Sequence, residues 1–524
     1  VVDVTDDCDR DPPLTYYATT PPPRPVARTS SALGPPASAT GDARPARPRR
    51  LRALLGPAAA ATALILLYVL LPGPESGLPA EGRITLVVFA AAVAAWTCTR
   101  WDDAFVALTA ALSLTLIGVL QSDDLFGALG GEVIWLLIAA FVLAAGLTQA
   151  GVPARIAVLL LARARTVRGL VHLLTLALVV SALLVPATSG RAALALPVFL
   201  ALAKALPERE RVIRALSLVI PTVILLSAVA TLTGAGAHLI TVEVLRAATG
   251  TGIGFGAWLL AGLPLAVVSS HLAAELVLLL MTRRADRRIR LDDIGAAELA
   301  ASVPGQTAPG LDKRGKLSLA ITAVVVLAWC TQDLHGVQPA VVALIGALAV
   351  AAPRIGMVSL GAALRTVPWS LLIFMSATAV LGAALLDSGA AGWLTAAALG
   401  GLATDGDSAL VFLIVVVLIS VAAHLVLQSR SARSSVLIPL LVPAAGVLGL
   451  NPAAIAFAST AAAGFCHTLP SSAKPVAMFA DLGETPGFER RDLLRLSIFL
   501  APLLAALVTA FAWFVWPYLG FPLR

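Results

Sequence analysis

The sequence predicts an all-α polytopic membrane protein, with about 11 transmembrane helices and two re-entrant hairpins in an inverted repeat. Three observations predict it. The 524 residues are 59% hydrophobic and only 13% charged, and the mean hydropathy of +0.91 lies far outside the range of soluble domains. Many apolar stretches reach the ~20 residues needed to cross a hydrocarbon core of ~30 Å. Two segments 242 residues apart, Ala187–Pro197 (ATSGRAALALP) and Ser429–Pro439 (SRSARSSVLIP), both read Ser-x-Arg-x5-Pro between long apolar runs. Arginine is costly inside apolar sequence, and its repetition points to two related halves with a binding site where they meet.

Residues 1–50 differ from the rest, being rich in Pro, Arg, Thr and Ala, with Pro21-Pro22-Pro23-Arg24-Pro25. That composition buries too little apolar surface to fold, so a disordered cytoplasmic tail is expected, with no apolar signal-peptide core. Its basic end, Arg44 to Arg52, holds the N-terminus in the cytoplasm. Spans are then expected near 54–72, 84–99, 103–121 and 132–150, with Asp123-Asp124 outside and Arg100 inside. An interfacial segment carries Arg155, Arg163, Arg165 and Arg168.

The interval 170–206 has basic clusters on both sides, so both ends belong in the cytoplasm. It reads as a re-entrant hairpin with Ser189-Gly190-Arg191 at its tip, since irregular backbone is tolerated at depth when protein or water surrounds it. A crossing over 215–249 breaks at Thr231–His238, and 257–281 returns to a basic cluster. Residues 51–281 thus hold the first span and first repeat, and the Pro/Gly/charge-rich 282–316 is a cytoplasmic linker. The inverted second repeat fills 317–524: spans near 317–332, 338–353 and 368–387, a second hairpin over 409–449, a broken helix over 453–480 interrupted at Leu469–Pro475, and a last span over 496–517. Loop charge makes the first hairpin open inward and the second outward, and leaves the C-terminus outside a plasma (inner) membrane.

The net charge of +7 falls mainly in the tail and loops, so it serves topology rather than nucleic-acid binding. Cys8, Cys98, Cys330 and Cys466 lack metal or disulfide spacing, and no HExxH, Walker or GxSxG motif suggests an enzyme.

Trp135–Gly151 (WLLIAAFVLAAGLTQAG) and Trp369–Gly389 (WSLLIFMSATAVLGAALLDSG) are similar to each other, and each precedes an interfacial segment and a hairpin. With the twin tip motifs and Ala230-Thr231-Leu232 before the first break, this order resembles the divalent anion:sodium symporter family over roughly 80–515. The wider superfamily also holds arsenite-type and sodium/proton carriers. The resemblance implies an elevator-like movement of the hairpin-bearing part and a homodimer. In that family each tip carries Ser-Asn-Thr, whose Asn helps to bind sodium and substrate carboxylates. Here Thr188 and Arg430 replace both Asn residues. Gly234–His238 occupies the place of the family's first-break motif, and Leu469–Phe479, with Ala473-Lys474-Pro475, that of the second. Sodium coupling is therefore not carried over.

Half-helix N-termini already favour an anion, and arginine adds a planar charged fork suited to carboxylate, sulfate or phosphate. The candidate substrate-binding residues are Thr188, Ser189, Gly190, Arg191, Thr233, His238, Ser431, Arg433 and Lys474. Each Arg has a second reading, as a pin for carbonyls exposed at a tip; for Arg430, which lacks a counterpart in the first repeat, both readings stand equal. His238 has the same alternative, and His172, His271, His424 and His467 read as satisfied core or interface residues. The expected function is secondary transport of a small multiply charged anion, a di- or tricarboxylate first and sulfate next. Coupling is to Na+, H+ or a counter-anion, and fixed guanidinium groups are a candidate replacement for bound sodium. A sodium/proton or arsenite-type carrier and an anion channel are the alternatives. No cofactor is expected.

Overall fold

The computed structural model describes residues 62–206, 208–291, 311–354, 356–399, 408–480, 482–483 and 485–524. The tail expected over 1–50 and most of the expected linker (292–310) lie outside the described residues. The described residues belong to a single contact unit, 60–524. They are helical throughout, with one isolated antiparallel bridge, Thr166–Arg290, and no strand.

After helical residues 62–70, nine helices of ten or more residues follow: α1 Ala80–Cys98, α2 Asp103–Ile117, α3 Glu132–Gln149, α4 Val152–Leu161, α5 Val167–Leu184, α6 Thr188–Ala205, α7 Glu210–Ser227, α8 Gly236–Thr249 and α9 Phe255–Met281. A second nine repeat their order: α10 Lys313–Cys330, α11 Pro339–Val350, α12 Trp369–Asp387, α13 Ala390–Leu399, α14 Ser408–Ala422, α15 Arg430–Val447, α16 Pro452–Ala462, α17 Lys474–Ala480 and α18 Arg490–Ala510. Runs of Leu, Ala and Val sustain the long helices, and side-chain caps start several of them. The Asp102 carboxylate accepts from Ala104 and Phe105, Thr166 from Gly169, and Ser429 from Ala432. Seven described helical segments are long and apolar enough to span a bilayer; α2, α11 and α16 are shorter apolar helices.

The packing follows the repeat. α2 lies against α12, and α3 against α11, which exchanges the same two positions between the halves. Likewise α8 packs on α15, and α17 on α6. Such exchanged pairs are what a pseudo-two-fold relation between halves produces. α7 sits at the centre, and nearly every residue from Val212 to Ser227 is buried, as expected of a helix apolar all round.

The intervals 170–206 and 409–449 are helix pairs, α5–α6 and α14–α15, each with its second helix starting at the twin motif. The first break runs from Ala228 to Ala235, three residues earlier than the sequence suggests. The second begins at Ala463, well before Leu469, because carbonyls there are held by arginine rather than released at Pro470.

Candidate functional site

Both helix breaks and both pair tips meet in the interior, and three arginines tie them together. Arg191, in the first turn of α6, is only 1% exposed. Its Nη1 donates to the Ile224 carbonyl at 3.2 Å and its Nη2 to Leu178 at 2.9 Å. Nε donates to Ser181 Oγ at 3.1 Å, and Nη2 also reaches Ser227 Oγ at 2.5 Å. Arg433, at the same place in α15, is fully buried and donates to the Phe465 carbonyl at 3.0 Å and to Cys466 Sγ at 2.7 Å. Each motif arginine therefore caps carbonyls at the broken helix of its own repeat. A permanent cation suits that helix C-terminal end, where the dipole is negative.

Arg430 opens α15 and reaches across both breaks. Its Nη2 donates to the Leu225 carbonyl, at the end of α7, and to the Gly464 carbonyl, both at 2.9 Å. Its Nε and Nη1 are buried without a hydrogen-bond partner, as is Arg433 Nε. No carboxylate hydrogen-bonds to any of these three guanidinium groups among the described residues. Two buried positive charges and a half-buried third, gathered without a counter-charge, favour an anion between them.

The first break is held by side chains and by a close backbone approach. A Cβ at Gly234 would collide with the Ala228 carbonyl, so the turn needs glycine. Trp258 Nε1 donates to Val229 at 3.0 Å and Thr231 Oγ1 to Ala182 at 3.1 Å. His238 Nδ1 lies 2.9 Å from the Thr231 carbonyl, which fixes the proton on that nitrogen, and its ring rests on Trp258. At the tip before α6, Ala187 holds φ at +68°, a conformation that costs a residue with a Cβ.

The candidate residues divide into groups. Arg191, Arg433 and His238 are buried and engaged with backbone, and Thr233 is buried in the first break. Ser431 is half-buried near the N-terminus of α8, its Oγ 3.3 Å from where a Cβ on Gly236 would stand. Thr188 and Ser189 are half-buried at the start of α6, and Gly190 is exposed. Lys474 is exposed at the start of α17 and, like Ser429, lies within electrostatic reach of Asp103. Arg430, outside the candidate set, is the one of the three arginines with most buried donors left over. Its signal was present in the sequence as the charge that breaks the match between the two tips.

Two repeats of apolar helices, broken at matching places around a buried cationic centre, define a multi-pass membrane transporter. The match of residues 53–521 to the family model described as "Sodium:sulfate symporter transmembrane region" shows that the chain belongs to that family. It is 27% identical over 485 residues to a protein of Cupriavidus necator described as "Membrane protein", covering 88% of this chain and 92% of that one. It also matches the crystal structure of the Alcanivorax borkumensis YdaH transporter, with a TM-score of 0.45 and 18% identity over 78% of this chain and 89% of that chain.

Proposed function

We propose that the protein is a secondary carrier of a small, multiply charged anion, a di- or tricarboxylate or sulfate, and that its fixed guanidinium groups replace bound sodium. The observation that carries this reading is Arg430, held by Leu225 and Gly464 with Nε and Nη1 buried and unpartnered. A guanidinium so placed keeps two donors on separate edges, each able to donate singly to an oxyanion, beside a permanent positive charge. The α8 N-terminus, close to Ser431, adds backbone N–H groups.

Carbonyl oxygens at broken helices are the usual ligands of a coupling cation. Here Leu225, Ile224, Gly464 and Phe465 instead accept from arginine. Transport in this reading moves the helices around the breaks as one body past α1–α3 and α10–α12. A thermal-shift screen of purified protein against carboxylates, sulfate and phosphate, with sodium or choline, tests the reading. The expected result is stabilisation by a divalent or trivalent anion, equal in both salts and lost in Arg430→Ala. A shift that needs sodium overturns the cation replacement, and a shift retained in Arg430→Ala overturns the site. Proteoliposome uptake that is accelerated by anion on the far side separates a carrier from a channel.

A further inference from the structure

Away from the breaks, α5 and α9 each present a titratable pair at i, i+4 on one face: Arg168 and His172 on α5, His271 and Glu275 on α9. The four side chains join. Glu275 Oε2 accepts from Arg168 Nε at 3.1 Å and lies 3.0 Å from His172 Nε2. The Nδ1 atoms of His172 and His271 are 3.0 Å apart, with the rings stacked at 5.2 Å. Both helices are among the spans apolar enough to cross a bilayer; Arg168 is exposed at the start of α5, while His172, His271 and Glu275 are half-buried between the helices, where ionisable side chains together call for a task.

We propose that Glu275, His172 and His271 form a proton-binding relay between α5 and α9. The hydrogen-bond pattern dictates the proton positions. An ionised Glu275 requires a proton on His172 Nε2, because two lone pairs at 3.0 Å would repel. With His172 neutral its Nδ1 is bare, and the single proton between the rings then belongs to His271 Nδ1. His271 Nε2 is left as the free base. A proton taken from hydronium there forms one N–H bond and releases water. Transfer of the shared proton from His271 Nδ1 to His172 Nδ1 then carries the positive charge beside Glu275. Arg168 offsets the carboxylate and keeps that charge from being trapped.

The surrounding charges are occupied elsewhere. On α4, Arg155 donates to the Ala150 carbonyl and lies 3.9 Å from Asp312. On α7, Arg214 pairs with Asp492 and Glu489. Arg287, in the short helix after α9, donates to the Leu278 carbonyl, and Arg495 on α18 donates to Leu280. Lys204 and Arg191 on α6, Glu210 and Arg211 on α7, Arg284 and Asp286 in the short helix after α9, Lys313, Arg314 and Lys316 on α10, and Arg490 and Arg491 on α18 are the other charges on packed helices, and none hydrogen-bonds to the four. The bridge between Thr166 and Arg290 joins the chain at the same ends of α5 and α9.

The relay itself stands apart from the transport reading; only its use in coupling rests on that reading. Six histidines in the chain make ring-labelled ¹⁵N NMR tractable. His172 and His271 are expected to titrate as one coupled pair with two macroscopic steps. Glu275→Gln should move both steps, and His271→Gln should leave one. Independent titration of the two rings, or indifference to Glu275→Gln, overturns the relay. In proteoliposomes loaded with a pH dye, anion uptake should bring protons with it, and His271→Gln should abolish the proton signal while keeping the anion-induced thermal shift. Proton movement unchanged in His271→Gln overturns the coupling role. Absence of any anion uptake instead refutes the carrier reading, and leaves the NMR result to decide the relay.

Discussion

Arg430 Nη2 donates to the Gly464 carbonyl at 2.9 Å, and a Cβ built on Gly464 would stand only 3.0 Å from that same nitrogen. The glycine therefore gives the guanidinium its seat. Gly464→Ala is expected to push Arg430 off both carbonyls and weaken anion affinity by about tenfold, equivalent to ~1.4 kcal/mol. Isothermal titration against the stabilising anion reads this directly, and unchanged affinity would remove Arg430 from the site.

Arg191 is expected to behave differently from Arg430. Its truncation removes four guanidinium hydrogen bonds, though Leu178 still accepts from Ser181, and Ser227 still donates to Val223. Each lost bond is worth about 1 kcal/mol and the side chain leaves a buried void, so Arg191→Ala should unfold well below the parent in a thermal melt. Arg430→Ala also takes the donor from the Leu225 and Gly464 carbonyls but removes a guanidinium with two buried unpartnered donors, so it should melt closer to the parent than Arg191→Ala and lose the anion shift. Equal melting losses for both would show that the two arginines share one structural role.

Strain at Ala187 gives a third expectation. A φ of +68° is easy for glycine and costly for alanine. Ala187→Gly should stabilise the fold by on the order of 1 kcal/mol and Ala187→Val should destabilise it, both measured by thermal unfolding. If Ala187→Gly also slows transport, the strained tip belongs to the moving machinery.

Ser429 and Asp103 lie close enough to interact, which places the tip before α15 beside the start of α2. With Cys8, Cys98 and Cys330 changed to serine, the pair Asp103→Cys and Ser429→Cys should form a disulfide under mild oxidation. Uptake should stop in the oxidised form and return on reduction. Transport that continues with the disulfide closed would refute movement of that tip against α2.

How far the sequence disclosed this arrangement depends on who supplies the partner. Charge inside apolar sequence is conspicuous, so Arg191 and Arg433 stood out at once. Their partners are main-chain oxygens of Ile224 and Phe465, which any residue type can provide and no side-chain pattern records. Arg430 was ambiguous for the opposite reason: its repeat position holds Thr188, so symmetry gave it no support. The i, i+4 pair of His271 and Glu275 was visible on its own helix, but the facing pair on α5 depended on packing. The helix order was legible because apolar runs and loop charges mark it, whereas the second break shifted to Ala463 once carbonyls there found arginine.

The exchanged packing of α6 with α17 and of α8 with α15 also bears on how the chain is made. Synthesis runs from the N-terminus, so α6 and α8 leave the ribosome long before the helices that cover them. The first half must wait in the bilayer with two faces unfilled, and the half translated later completes it. Assembly is therefore an interlocking of the two halves, and premature termination after α9 yields a fragment that lacks neighbours on both sides of its own break.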